Sequence, residues 1–276
     1  MVKKIIHIAD IHIPNDINER HFSELTKKLM SDVLKEAKKC ETPDECRIVM
    51  AGDLFHNKIR VSNEARDVFH SLMNYANAIC RTIVFAGNHD MLENNSDRTD
   101  SITPTFNVDG AYPNVNFIDK TLGYKSGFLV DEGIVWVLYS MFDKFAKPNI
   151  DGLREQYPEY KIVGLYHGDT PGAVTDTGRV SDSGIDTALF EGLDCVMAGH
   201  IHKLQSIRKG GVEIVYAGSA FQQNMGENIS GHGFVVWDTE KMKWKHHEVT
   251  NKYRTLKYEI HSYDDVANDE EQILNL

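Results

Sequence analysis

Five short polar motifs punctuate the chain, and each stands at or just past the end of an apolar run. The clearest is Gly87-Asn88-His89-Asp90, which follows Thr82-Ile83-Val84-Phe85-Ala86. β-Prone residues that run straight into a glycine, an amide, an imidazole and a carboxylate describe a buried strand whose tip faces a crevice. The other four are Asp10-x-His12, Gly52-Asp53-x-x-His56, His167-Gly168 and Gly199-His200-Ile201-His202. In open α/β sheets, ligands bind beyond the carboxyl ends of the strands. The pattern therefore predicts an α/β fold in which distant strand tips converge on one site.

Periodicity supplies the elements between the motifs. Lys4 to Ala9 reads as the first strand. If it stays extended, Asp10 and His12 share a face, and His7 points the other way as a structural residue. His21 to Lys39 carries Phe22, Leu25, Leu29, Val33 and Ala37 at helical steps. Arg47 to Ala51 is the second strand. Ser62 is placed to cap a second helix, whose stripe is Ala65, Val68, Phe69, Leu72, Met73, Ala76 and Ile79. The third strand begins at Thr82. Asn116 to Asp119, Gly133 to Tyr139, Ile162 to Tyr166 and Cys195 to Ala198 are further strands. Tyr157-Pro158 ends a short helical turn, and Ile185 to Leu193 is a short helix. Met91 to Asp109 and Gly168 to Gly184 are long polar loops, a common form for substrate-facing segments.

After Leu204 the texture changes. Leu204 to Arg208, Val212 to Ala217, Gly233 to Trp237 and Lys243 to Val249 are short strands without intervening helices, read as a β-meander with a turn at Gly210-Gly211. Tyr253 to Ile260 is one more strand, followed by an acidic tail. A chain that opens as strand-helix-strand and closes with strands fits a two-sheet sandwich with helices outside. Residues 1–250 are expected to form one domain, and residues 251–276 to begin a capping domain or C-terminal extension.

Composition narrows the classes. Hydrophobic residues make up 41% and charged residues 26% of the 276 positions, enough for a sizeable core. No run reaches the about 18 apolar residues that a membrane span needs. The start, Met1-Val2-Lys3-Lys4, leads directly into a strand containing no secretory signal pattern, so a cytoplasmic location is expected. The cysteines at 40, 46, 80 and 195 match no zinc-site spacing and are read as reduced. A net charge of −11 weighs against a nucleic-acid partner. Two bound divalent ions would locally offset that, so charge leaves the partner open.

The motif side chains have a coherent chemistry. Asp10, His12, Asp53, Asn88, His167, His200 and His202 are four imidazoles, two carboxylates and one amide, with no thiolate. Such a set suits Mn²⁺, Fe²⁺ or Zn²⁺. Seven donors are too many for one tetrahedral ion. They suit two ions about 3.5–4 Å apart that share a carboxylate and clamp both oxygens of an in-line phosphoryl displacement. Each motif alone is more often a turn or a loop; five together, each at a strand end, are read as one centre.

In order and spacing, these motifs resemble the signature of the calcineurin-like metallophosphoesterases. That resemblance implies a four-layer α/β/β/α sandwich of the metallophosphoesterase type and a dinuclear centre. Gly52-Asp53-Leu54-Phe55-His56, with Tyr216-Ala217-Gly218-Ser219 and Gly233-Phe234, is similar to the SbcD-type DNA repair and recombination nucleases. Protein Ser/Thr phosphatases would show Asp-Arg-Gly after Gly-Asp and Glu in place of Asp90. Arg60-Val61-Ser62 departs from the relatives, which often have Pro before Ser.

By this resemblance Asp10, His12, Asp53 and His202 hold one ion. Asp53, Asn88, His167 and His200 hold the other, with Asp53 bridging. His89 attends the leaving oxygen and His56 orients the phosphate. The implied function is two-metal hydrolysis of DNA phosphodiesters, as a 3′–5′ exonuclease and single-strand endonuclease, with Mn²⁺ as the expected cofactor. The implied partners are DNA, an SbcC-type SMC-like ATPase and a second copy in a homodimer, with no membrane. A chain cut to its nuclease domain, or a naturally short phage-encoded form, is implied too. Lys58, Arg60, Arg98, Arg179 and Lys203 lie in loops near the motifs and are candidate DNA contacts. The alternatives are a phosphoesterase for a small phosphodiester such as a cyclic nucleotide, and a non-catalytic scaffold on the same fold.

Overall fold

The computed structural model describes residues 1–15, 19–95, 97–108, 110–253 and 255. In chain order the elements are β1 (Lys4–Ile8), α1 (Glu19–Ala37), β2 (Cys46–Ala51), α2 (Asn63–Ile79), β3 (Arg81–Phe85), β4 (Val115–Phe117), α3 (Ile118–Thr121), β5 (Gly127–Asp131) and β6 (Ile134–Tyr139). They continue with α4 (Ile150–Gln156), β7 (Lys161–His167), β8 (Cys195–Gly199), β9 (Gln205–Lys209), β10 (Val212–Tyr216), β11 (Gly233–Asp238) and β12 (Lys243–Glu248).

Two six-stranded sheets result, in the orders β12-β11-β1-β2-β3-β4 and β5-β6-β7-β8-β10-β9. Each has a parallel centre: β1 to β4 in the first sheet, and β6, β7, β8 and β10 in the second. Antiparallel strands close one edge of the first sheet and both edges of the second.

Strand parity builds the layers. Ile6, Ile8, Ile48 and Met50 pack against Leu29 and Val33 of α1 and Phe69 and Leu72 of α2. Their alternates Ile5, Val49, Ala51 and Phe85 meet Trp136, Leu138, Leu165 and Met197 between the sheets. The outer face of the second sheet, with Val135, Val137 and Ile162, is covered by Ile150 and Leu153 of α4 and by Phe190. The result is the expected α/β/β/α sandwich. Because both faces of each central strand are buried, these strands read in sequence as continuous apolar runs. The Ser62 hydroxyl accepts from the Ala65 N–H at 3.1 Å, capping α2 as expected.

Several boundaries differ from the sequence reading. β1 ends at Ile8, and Asp10 and His12 have φ of 51° and 48°. They are therefore not alternate residues of one strand; a turn brings them together. Ile118 to Thr121 is helical rather than strand, and Ile185 to Leu193 holds only a 3-10 turn at Thr187–Phe190. β5 is an edge strand absent from the sequence reading: its exposed face carries the apolar Phe128 and Val130, so its alternation in exposure leaves no apolar–polar pattern in the sequence. The closing strands form no single meander: β9 and β10 complete the second sheet, while β11 and β12 return to the first. The expected strand Tyr253 to Ile260 and the boundary at 251 fall largely outside the described residues. No helix among the described residues is long and apolar enough to cross a membrane.

One buried acid ties the sheets together beside the motif tips. Asp119, only 2% exposed, accepts from the Ala86 N–H just after β3 at 2.9 Å and from the Ser140 hydroxyl just after β6 at 2.6 Å. Burial pushes its carboxyl up to about 6, against these hydrogen bonds, which favour the charged form. A carboxyl that binds its proton more tightly when folded stabilises the fold fully below its unfolded value near 3.8. That contribution is lost as pH rises through about 6. Urea midpoints of wild type and Asp119→Asn, followed from pH 4 to 7, should therefore show the wild type losing about 1–3 kcal/mol relative to the variant. A difference that does not change with pH would exclude this assignment.

Candidate metal centre

All five motif tips meet at the carboxyl ends of the parallel strands, along the seam between the sheets. Asp10 and His12 follow β1, Asp53 follows β2, Asn88 follows β3, His167 ends β7, and His200 and His202 follow β8.

The side chains form two groups. In the first, His12 Nε2 lies 3.0 Å from His202 Nε2, and both nitrogens are 4.0 Å from Asp10 Oδ1. In the second, His167 Nε2 lies 3.2 Å from Asn88 Oδ1, which is 2.8 Å from His200 Nδ1. Asp53 stands between them. Its Oδ2 is 3.5 Å from His12 Nε2, and its Oδ1 is 3.3 Å from His167 Nε2. One carboxylate thus presents an oxygen to each group.

The backbone sets the ring orientations. His167 Nδ1 donates to the Ala51 carbonyl at 2.8 Å, which turns Nε2 toward Asp53 and Asn88. Asp10 accepts the His200 N–H through both oxygens at 3.0 Å, and Asp53 accepts the His89 N–H at 2.7 Å. Asp90 is fully buried and accepts from the Leu54, Phe55 and Gly87 amides, joining the second and third motif loops.

This convergence strains the chain. Asp10, His12, Asp53 and His200 all have positive φ, at 51°, 48°, 51° and 96°. Left-handed non-glycine residues are uncommon and concentrate where a site over-determines the backbone. Gly87 answers a different demand: a Cβ there would lie 2.2 Å from Asp53 Oδ1 and 2.6 Å from His167 Cε1. Only a residue without a side chain lets the loops close around that ring.

The electrostatics call for positive charge. Burial alone would raise the Asp53 carboxyl, but His167, His12 and His89 outweigh it and hold the group below the usual range. Burial lifts Asp10 to about 6 against the neighbouring rings. Burial lowers His12 to about 3 and His200 to about 4. His167 and His202 rise to about 9 despite burial, because Asp53 faces the first and Glu227 and Asp10 face the second. With Nδ1–H committed to Ala51, a neutral His167 turns a lone pair on Nε2 toward the oxygens of Asp53 and Asn88. Three acceptors facing one another need a cation or a proton between them. The donor set, all nitrogen and oxygen, fits divalent ions.

At the mouth, the rings of His56 and His89 flank His12, with centroids 5.6 and 4.8 Å from it. His89 Nδ1 donates to the His56 carbonyl at 2.7 Å, leaving Nε2 as its free end. His56 is exposed. Of the candidate DNA contacts, Lys58 is half-buried and paired with Glu93 at 2.8 Å, while Arg60, Arg98, Arg179 and Lys203 are exposed.

Three acids of this neighbourhood escape a reading by sequence. Asp90 is visible there only as part of its motif. Asp169 lies 3.8 Å from His200 Nε2, and the run His167-Gly168-Asp169 carries that signal. Glu227 meets His202 Nδ1 at 2.8 Å from an irregular loop with no periodic pattern to mark it.

The chain is similar to known proteins in sequence and in fold. Across 260 residues the chain is 30% identical to R555, an uncharacterised protein of Acanthamoeba polyphaga mimivirus. The alignment covers 91% of this chain and 18% of that protein. It is 26% identical to the SbcD component of the SbcCD nuclease of Staphylococcus saprophyticus, over 92% of this chain and 69% of the relative. Among solved structures, a dimetal phosphatase from Danio rerio aligns with a TM-score of 0.50 at 11% identity, covering 85% of this chain and 92% of the other. That likeness speaks to the fold. The profile described as calcineurin-like phosphoesterase matches residues 3–204, which spans every one of the five motif tips. Because that match covers more than half of the 276 residues, the chain belongs to the calcineurin-like phosphoesterase family.

Proposed function

We propose that the chain is a two-metal nuclease that hydrolyses DNA phosphodiesters, as a 3′–5′ exonuclease and single-strand endonuclease. The observation that carries the phosphodiesterase reading is Asp53, whose two oxygens face two separate donor groups. The nuclease assignment draws its support from the 26% identity to a staphylococcal SbcD, and DNA as the substrate from the motif resemblance. The same relative, named as a subunit of SbcCD, supports an SbcC-type ATPase partner, and a homodimeric assembly is a further part of the proposal that rests on the motif resemblance. The chain spans 69% of that relative and 18% of the mimivirus protein.

Asp10, His12, His202 and Asp53 would hold one ion, and Asn88, His167, His200 and Asp53 the other. Manganese is the proposed metal. When bound, the two ions would polarise the phosphoryl oxygens and acidify a coordinated water to a pKa of roughly 7–9. The chain contributes orientation. The strained turns fix Asp10, His12 and Asp53 before substrate arrives, so no reorganisation is needed as charge develops. His89 is anchored through Nδ1, so its Nε2 can carry a proton to the departing 3′-oxygen. His56, exposed beside it, is positioned to orient the phosphate at the mouth. Arg60, Arg98, Arg179 and Lys203 are free to meet the backbone of a bound strand, and Lys58 could do so only by leaving Glu93.

Incubation with Mn²⁺ and end-labelled single- and double-stranded DNA, beside bis-p-nitrophenyl phosphate and a phosphomonoester, tests the proposal. Release of nucleotides from DNA is expected. Turnover of the small esters with DNA left intact would overturn the nuclease reading. Asp53→Asn should abolish activity and reduce bound Mn²⁺ measured by elemental analysis, because one residue serves both groups. His89→Asn should retain the metal while turnover falls about 10²–10⁴-fold. Loss of metal from that variant would refute its role as proton donor.

A further inference from the structure

The loop between β10 and β11 reaches the first donor group from beyond residue 204, where the family match ends. It delivers Glu227, whose side chain is 1% exposed, against His202. We propose that Glu227 is a positioning residue that holds His202 with its proton on Nδ1 and aims Nε2 at the group of Asp10 and His12. The inference rests on the metal-binding reading above and extends it to a residue outside the motifs.

Three observations carry it. First, Glu227 Oε1 lies 2.8 Å from His202 Nδ1. A carboxylate only accepts, so the proton of that bond belongs to the ring. The lone pair of a neutral His202 is then on Nε2, the atom 3.0 Å from His12 Nε2 and 4.0 Å from Asp10 Oδ1.

Second, Glu227 is itself held in place. Oε2 accepts from the Gln223 N–H at 2.8 Å, and Oε1 accepts from Asn224 Nδ2 at 2.8 Å. The Ser219 hydroxyl lies 3.5 Å from Oε2 and 2.9 Å from His232 Nδ1, and His232 Nε2 in turn reaches the Asn228 carbonyl at 2.6 Å. Third, the same loop is tied to the first motif: Gln223 Nε2 donates to the Ile11 carbonyl at 3.2 Å. The loop, the first motif and His202 are therefore joined in one hydrogen-bonded unit.

A carboxylate behind a ligating imidazole orients the ring and raises its basicity, and removing such a partner typically weakens metal binding about 10–100-fold. The other three rings are supported differently. His167 rests on the Ala51 carbonyl, His200 has Asp169 at 3.8 Å, and His12 Nδ1 is buried without a hydrogen bond. Glu227 backs the ring of His202 alone, so its loss should affect one of the two ions.

Calorimetric titration of the metal-free full chain with Mn²⁺ tests this. Wild type is expected to bind two ions. Glu227→Ala should weaken one binding event about 100-fold and leave the other within about threefold, while Glu227→Gln, whose amide oxygen still accepts from Nδ1–H, should lose only about 10-fold. Met225→Ala changes an exposed side chain of the same loop outside the hydrogen-bonded unit, and its affinities should stay within about threefold of wild type. Two ions bound by Glu227→Ala as tightly as by wild type would overturn the role of Glu227 and leave the metal centre standing. Equal losses in Met225→Ala and Glu227→Ala would likewise overturn it, by reducing the effect to loop stability. A wild type that binds no Mn²⁺ would overturn both this inference and the reading on which it rests.

Discussion

The structure depends on a concentration of electron-pair acceptors that cannot stabilise one another. Asp53 stands between His12 and His167, and Asn88 stands between His167 and His200. The backbone partly offsets the crowding. The His89 amide reaches Asp53, the His200 amide reaches Asp10, and three further amides reach Asp90. What remains is a demand for positive charge between the rings. In the metal-free chain, that demand shows as His167 and His202 holding protons up to about pH 9. Two divalent cations would answer it more completely, and the rings must shed those protons to bind them.

Much of this is legible in the sequence because it rests on local rules. The stripes of α1 and α2 and the cap at Ser62 follow from helical spacing and from a hydroxyl at an N-terminus. The continuous apolar runs before Gly52, Gly87 and Gly199 follow from strands buried on both faces. The motif residues stand out because they sit where strands stop, a position that sequence marks with an abrupt change from apolar to polar. Asp10 and His12 are legible as a pair but not in their geometry. Extended parity does not bring them together; two left-handed residues do. Backbone strain that a site sustains leaves no compositional trace when the strained residues are themselves the functional ones.

Features set by tertiary partners are not legible. β5 alternates in exposure but not in polarity, because apolar Phe128 and Val130 face outward on an edge strand. The split of the closing strands between two sheets depends on which edge each one finds, a choice that hairpin-scale signals do not contain. Glu227 looks like any loop acid until the fold buries it against His202. Asp90 and Asp119 are similar. Each accepts backbone amides or a hydroxyl from segments distant in sequence, so its role is defined by those partners rather than by its neighbours in the chain.

The position of the centre has a consequence for the whole sandwich. The first sheet supplies Asp10, His12, Asp53, Asn88 and His89, and the second supplies His167, His200 and His202. Neither sheet holds a complete donor group: Asp10 and His12 need His202, and Asn88 and Asp53 need His167 and His200. Cations at this seam would bind the two sheets to each other as well as activate a substrate. Because ions that bind only the folded chain add their binding energy to its stability, the architecture and the chemistry are linked. The sheets must be in register to make the site, and a filled site would hold them there.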